Sequence, residues 1–451
     1  MHRVQPSKLV THLMSFARLD AEQTAGAGVP TLRSLFLVLS KALSPTHKPE
    51  KARFVMSAYQ STTAEATAME APTYILDLAR QVLGKFITDA APRAISFTVV
   101  AKPKKSTEQH QADHTVVEIS FLAKGGYNDV WLARSPDKSL PSFVLRVPNE
   151  DSLKPNQIQN EVGWLRYLKT HCPDIPVPAV YDYSDGILPD EQPFIAQQYV
   201  PFPALSDVWQ TYTDNEKHEV ARKIAELTIH LGEQRFDAIA GMMPDGSLGP
   251  TVEGCKLFKG RSAFHTPECY DIGPYQSIKH YILTYYDKEI YYYTNAPDSS
   301  IDHDFFDQVS QPQFVQTLKA KRAAVAAELE AHPYEEPFVL CHNDLQGRNI
   351  LMNGTEIAAV IDWEFAGSYP LSELEDSGIE VLEMEDDETQ EECFKWSGII
   401  YGLVKTVARE RSWTDHDFQL LTSGGNRTLQ EVRIEMMPAD PPDAEAGAVE
   451  E

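Results

Sequence analysis

The order of apolar patterns along the chain predicts an α+β protein of two lobes, sheet first and helices second. Three observations carry this reading. Short β-like runs cluster between residues 115 and 200, helical periodicity dominates after Pro201, and two apolar runs near residue 340 end abruptly in polar clusters. The last of these is "FVLCHNDLQGRNILMNG" (338–354), followed at once by "TEIAAVIDWEFAG".

The elements follow in order. "MHRVQPSKLVTHLMSFARLD" holds three Arg/Lys, no acid before Asp20, and apolar residues at helical spacing. It reads as an amphipathic surface helix in a cytoplasmic protein, with a mitochondrial transit peptide as the alternative. Residues 20–70 give no usable pattern. In "APTYILDLARQVLGKFI" (71–87), Ile75, Leu78, Ala79, Val82, Leu83 and Phe86 share one helical face. "KPKKSTEQHQADH" then reads as an exposed linker or hairpin, which makes residues 1–114 an N-terminal extension.

From Thr115, "TVVEISFLA" and "DVWLA" flank Lys124-Gly125-Gly126-Tyr127-Asn128, and "FVLRVP" follows. Two strands about a Gly-Gly turn and a third strand predict an antiparallel sheet. "QNEVGWLRYLKTH" (159–171) is helical, "PDIPVPAVYDY" a Pro-rich bend, and "FIAQQYV" (194–200) a further strand that closes a sheet lobe at residues 115–200. "NEKHEVARKIAELTIHLGEQ" and "QFVQTLKAKRAAVAAELEAH" are helices of a second lobe at 201–435, and 436–451 reads as a disordered acidic tail. Seven tyrosines between Tyr275 and Tyr293 suit helix packing better than an aromatic lid over a ligand.

Composition narrows the function. The chain has 451 residues, 42% hydrophobic and 24% charged, with a net charge of -26. That charge disfavours nucleic acid or an anionic membrane surface as the main partner. Eleven acids and no base lie in 373–392, and six more acids from Glu435 onward, so the excess sits near the C-terminus and reads as a solvated face and tail. Five scattered cysteines without a C-x-x-C pair suggest neither a disulfide framework nor a zinc site. No apolar run reaches the roughly 20 residues of a membrane span.

The polar clusters carry the chemistry. Asp344 and Asn349 in "HNDLQGRN" have the D-x-x-x-x-N spacing of a kinase catalytic loop, and a short hairpin leads on to Asp362. Moving a γ-phosphoryl group to a hydroxyl needs a carboxylate near the attacking O–H, the role of Asp344. It also needs Mg²⁺, which takes oxygen ligands; Asn349 and Asp362 offer them. His342 orders the loop, and Arg348 faces solvent rather than a phosphate.

At this point the chain resembles the aminoglycoside phosphotransferase and choline kinase group of the protein-kinase-like superfamily, in particular fungal members with an I-D-W-E-F ending. The resemblance runs from Thr115 to about Glu435 and is strongest at 338–367. It implies a bilobed kinase-like fold, ATP and Mg²⁺ as cofactors, a small-molecule hydroxyl acceptor, and further site residues upstream. Gly125 and Gly126 would cover the phosphates, Arg146 would stand where protein kinases use Lys, and Glu161 would hold it. Gln198, Tyr199 and Val200 would form the adenine hinge. In this family acids after the metal-binding Asp often hold a cationic acceptor, which makes Glu364, Glu373 and Glu375 candidates by position.

The expected function is therefore ATP- and Mg²⁺-dependent transfer of a phosphoryl group to a small-molecule hydroxyl. The alternative is a kinase-like nucleotide-binding or scaffold protein, with mitochondria as its alternative location, without turnover. Protein kinase activity fits less well, since no A-P-E element follows Asp362 and I-D-W-E replaces D-F-G.

Overall fold

The computed structural model describes residues 71–89, 96–101, 114–135, 140–252, 261–301, 310–374 and 379–429. The expected helix at 1–20, most of the polar linker after residue 101, Glu375 and the acidic tail lie outside them.

The first lobe is a six-stranded sheet. Its strands are β1 (Ser96–Ala101), β2 (His114–Lys124), β3 (Asn128–Arg134), β4 (Phe143–Pro148), β5 (Val180–Ser184) and β6 (Phe194–Gln198), in the order β1-β2-β3-β4-β6-β5. β1 runs parallel to β2, and the other five strands are antiparallel, as the alternating patterns predict. Two strands escaped the sequence reading. β1 lies between the predicted helix at 71–87 and the polar linker, where no element was expected, and β5 was hidden in the Pro-rich bend.

Helix α1 (Thr73–Asp89) matches its predicted face. Ile75, Leu78, Ala79, Val82 and Leu83 are buried against Val117, Ile119, Trp131, Leu145 and Phe194 of the sheet. Burial of each large aliphatic contributes about 1.5–3 kcal/mol, so α1 is part of this lobe's core. Lys85 also reaches Asp182 of β5 at 2.5 Å.

Helix α2 (Asn156–His171) crosses from this sheet to the second lobe. Its inner face carries Glu161 toward the sheet and Asn160 toward residues 363–366. Asn160 Nδ2 donates to Glu364 O at 2.9 Å and Ala366 O at 2.8 Å, while its Oδ1 accepts from Met242 N at 2.8 Å. One buried amide thus satisfies three backbone groups.

In the second lobe α3 (Asp214–Gly232) begins in a capping box of Thr213 and Glu216. It packs on α6 (Asp387–Glu410) through Val220, Ile224, Trp396 and Ile400. Helices α4 (Ile278–Asn295) and α5 (Gln311–Ala331) pair beside them, and α7 (Asp415–Ser423) closes the lobe. Most tyrosines of α4, among them Tyr281, Tyr285, Tyr286, Tyr292 and Tyr293, are core residues, so packing is their use.

The site rests on short strands: β7 (Arg235–Phe236), β8 (Gly241–Met242), β9 (Leu248–Gly249), β10 (Phe338–Cys341), β11 (Ile350–Asn353), β12 (Glu356–Val360) and β13 (Gly367–Pro370). β10 is fully buried between β13 and β7, and β11 and β12 form the predicted hairpin. Replacing Asn160 by Ala strips three buried backbone groups of a partner; at about 1–3 kcal/mol for each unsatisfied group, a lower urea midpoint is expected without loss of helix content by circular dichroism before the transition.

Candidate active site

The polar residues 342–349 leave β10 because that strand ends where its apolar run ends. His342 is 3% exposed. Its Nε2–H donates to Ile361 O at 3.0 Å, its Nδ1 accepts from Asp344 N at 3.3 Å, and its ring lies 4.5 Å from that of Trp363. Burial pushes the imidazole down to about 4. It is a neutral strut between the loop and the Asp362 turn.

Asn343 and Asp362 both adopt the left-handed conformation, at φ 63° and 66°. Such residues cost of order 1 kcal/mol or more unless their surroundings hold them. Asn343 is held by its Nδ2 bond to Phe365 O at 2.9 Å. Asp362 follows Ile361, whose N–H donates to Asn349 O at 2.9 Å, so the second carboxylate is pinned beside the loop asparagine.

Asp344 is gripped at both oxygens. Asn349 Nδ2 reaches Oδ2 at 2.8 Å and Arg348 Nη2 reaches Oδ1 at 2.5 Å. The solvent-facing reading of Arg348 is therefore corrected: its side chain is 26% exposed and paired. Burial is the first cause that pushes the Asp344 carboxyl up to about 7; Arg348 opposes it, and Asp362 and Glu380 add to it.

Arg146 on β4 meets carboxylates from both lobes. It lies 2.6 Å from Asp362 Oδ1, 3.0 Å from Glu364 Oε2 and 3.3 Å from Glu161 Oε2. Gln197 Nε2 donates to the other oxygen of Glu161 at 2.8 Å, and Asn128 Nδ2 donates to Glu364 Oε2 at 2.6 Å. Burial is the largest influence raising Glu161 and Glu364, and Arg146 pulls both back. Glu364, 4% exposed, is thus a buried partner of Arg146 and not an acid offered to an acceptor. Glu373, 8% exposed, accepts from Tyr281 OH at 3.4 Å, which corrects its surface reading too.

The Gly-Gly turn is tied to the same network. Gly126 O accepts from Asn149 Nδ2 at 2.7 Å, and Tyr127 sits edge-on to Phe365 with centroids 5.2 Å apart. The residues expected to form a hinge do not join it. Gln198 and Val200 line a separate cavity of about 390 Å³ with Lys169, Ile175, Phe202 and Ala358; Gly125, Gly126, Arg146, Asp344, Asn349 and Asp362 are not in its wall. The Gln198 and Tyr199 N–H groups are bonded to Ala179 O and Ser142 O at 2.8 and 3.3 Å.

Sequence reasoning missed Asn128, Asn160 and the docking of the acidic segment on the loop. Gly347 N–H donates to Glu380 O at 2.7 Å, and a Cβ on Gly347 would stand 2.4 Å from Val381 O. Only glycine permits that approach. Far from being wholly solvated, the segment buries Ile379, Val381 and Leu382.

Two outcomes are expected. Gly347→Ala should free the 379–386 segment and show faster amide exchange there, with α3 unaffected. Asp344 has its carboxyl raised in the fold, so the stability linked to it is full below the ordinary value near 4 and lost as pH rises through about 7. Asp344→Asn removes that loss, and should be more stable than wild type at pH 8, by on the order of 2 kcal/mol after allowance for solvent and the lost Arg348 pair. Melting curves at pH 5 and 8 check it; the gain should shrink at pH 5.

Comparison with known proteins adds the family. The profile of a phosphotransferase enzyme family, APH, matches residues 118–373. Similar solved structures include a thermostable mutant of aminoglycoside phosphotransferase APH(4)-Ia in its apo form, at 17% identity and TM-score 0.40, covering 71% of this chain and 85% of that one. Another is the streptomycin-ATP complex of APH(2")-IIa, at 14% identity and TM-score 0.37, covering 72% of this chain and 92% of that one. No curated protein matched the chain. A five-stranded antiparallel sheet with one added strand, a helical second lobe and a profile match over more than half the length lead to one conclusion: the chain belongs to the APH phosphotransferase enzyme family and has its kinase-like fold.

Proposed function

We propose that the chain is an ATP- and Mg²⁺-dependent phosphotransferase that moves the γ-phosphoryl group to a hydroxyl of a small molecule. One observation carries the reading: Asn349 is bonded to Asp344 through its amide and to the strand end before Asp362 through its backbone, so base and metal-ligand candidates form one unit.

The residues fit a hard divalent ion. Both amide hydrogens of one Asn349 nitrogen go to Asp344 O and Oδ2, which leaves its Oδ1 as the ligand atom. Arg146 takes only Oδ1 of Asp362, which leaves Oδ2. Among the described residues no group of three or more His, Cys, Asp or Glu surrounds a metal, so its other ligands would be phosphate oxygens and water. When bound, Mg²⁺ would neutralise charge on the β- and γ-phosphates.

Asp344 would take the proton of the attacking hydroxyl, and a carboxyl raised to about 7 is well matched to that work near neutral pH. Arg146 would position phosphate oxygens, held in place by Glu161 and Glu364.

The test is ATP consumption by the purified chain with amino alcohols, aminoglycosides, sugars and homoserine-like compounds. Asp344→Asn should lower turnover about 10²–10⁴-fold with little change in the KM for ATP. Arg146→Lys should raise that KM about tenfold or more, because a single ammonium cannot serve three carboxylates and a phosphate. If no acceptor is turned over, and Asp344→Asn leaves basal ATP hydrolysis unchanged, the enzyme reading fails; nucleotide binding alone would then mark a binding or scaffold protein.

A further inference from the structure

The candidate base is fully engaged before any substrate arrives. Asn349 donates to Asp344 Oδ2 and Arg348 to Asp344 Oδ1. An acceptor hydroxyl needs one of those oxygens within hydrogen-bond reach. Asn349 is 4% exposed and held by a second bond to Asp344 O, whereas the Arg348 side chain is 26% exposed. Of the two, Arg348 is the more exposed; it also acts on the nearby Glu380 carboxylate.

Charge decides where it goes. A phosphoryl group in transfer spreads negative charge over its equatorial oxygens, and positioned cations stabilise it. Arg146 is buried among three carboxylates. Arg348 has a planar fork of five N–H donors, enough to hold a second partner while it shares the first. It also rides on the short turn Gly347–Asn349, which is braced by the Gly347 N–H bond to Glu380 O and by Glu380 N–H to Gln346 Oε1 at 2.5 Å. Base and cation therefore project from one rigid segment.

We propose that Arg348 is a second catalytic residue of the transfer, guarding Asp344 in the resting site and turning onto the oxygens of the moving γ-phosphoryl group once nucleotide and acceptor are bound. The acceptor oxygen forms its bond to the γ-phosphorus as the bond from that phosphorus to the β-phosphate oxygen breaks. The acceptor proton passes to Asp344 Oδ1, the nucleoside diphosphate leaves, and Arg348 keeps all its protons. This inference rests on the phosphotransferase reading above.

The experiment uses the full chain as wild type, Arg348→Met, Arg348→Lys and Asp344→Asn. Binding of a fluorescent ADP with Mg²⁺ is measured with and without aluminium fluoride, a mimic of the phosphoryl group in flight. Wild type should bind the ADP about tenfold or more tightly with the fluoride, as a transition-state mimic should. Arg348→Met should bind ADP alone within about twofold of wild type yet lose that gain, and Arg348→Lys should recover part of it by keeping the charge. Basal MgATP hydrolysis should fall about 10²–10³-fold in the Met variant.

Equal fluoride gains in wild type and Arg348→Met overturn the role of Arg348, while loss of hydrolysis in Asp344→Asn keeps the phosphotransferase reading. Loss of ADP binding itself in the Met variant makes Arg348 architectural and also overturns the proposal. A wild type that shows neither ADP binding nor ATP hydrolysis overturns both.

Discussion

The site depends on one guanidinium. Arg146 reaches Glu161 on α2 and, across the cleft, Asp362 and Glu364 of the turn after β12. Desolvating three carboxylates together would be prohibitive without it; burial raises Glu161 and Glu364, and Arg146 pulls both back. Asn128 and Asn160 supply the neutral part of the joint, one to the Glu364 carboxylate and the other to the backbone around it.

Function and stability pull apart at the loop. Asp344 is buried enough to hold its proton near neutrality, and Asn343 and Asp362 sit in backbone conformations that favour glycine. Each of these costs folding free energy, which the packing around Trp363, Leu340 and Val360 offsets. His342 links the two strained turns as a neutral crosspiece, so neither relaxes alone.

What was legible in the sequence was local. The spacing of Asp344, Asn349 and Asp362 survives as spacing because a turn and a hairpin carry it, and α1, α2, α3 and α5 follow their own periodicity. What was illegible depends on partners far along the chain. Asn128 meets Glu364 from 236 positions away, and Arg146 meets it from 218. Nothing near Glu364 distinguishes it from other acids of a strongly acidic chain, so position alone suggested an acceptor contact that its burial rules out. Arg348 was misread for the opposite reason: its partner is four residues away, but only the loop's conformation turns the side chain inward.

Helix α1 sets where the protein can be cut. The family profile begins at residue 118, yet Ile75, Leu78, Val82 and Leu83 cover one face of the sheet that this profile describes. At the other end the profile stops at residue 373, before the α6 residues Trp396, Ile400 and Val404 that pack on α3. A fragment trimmed to the recognisable span would bare two apolar surfaces at once and would self-associate. The heritable signature and the cooperative unit are different stretches of this chain, and the second is the longer.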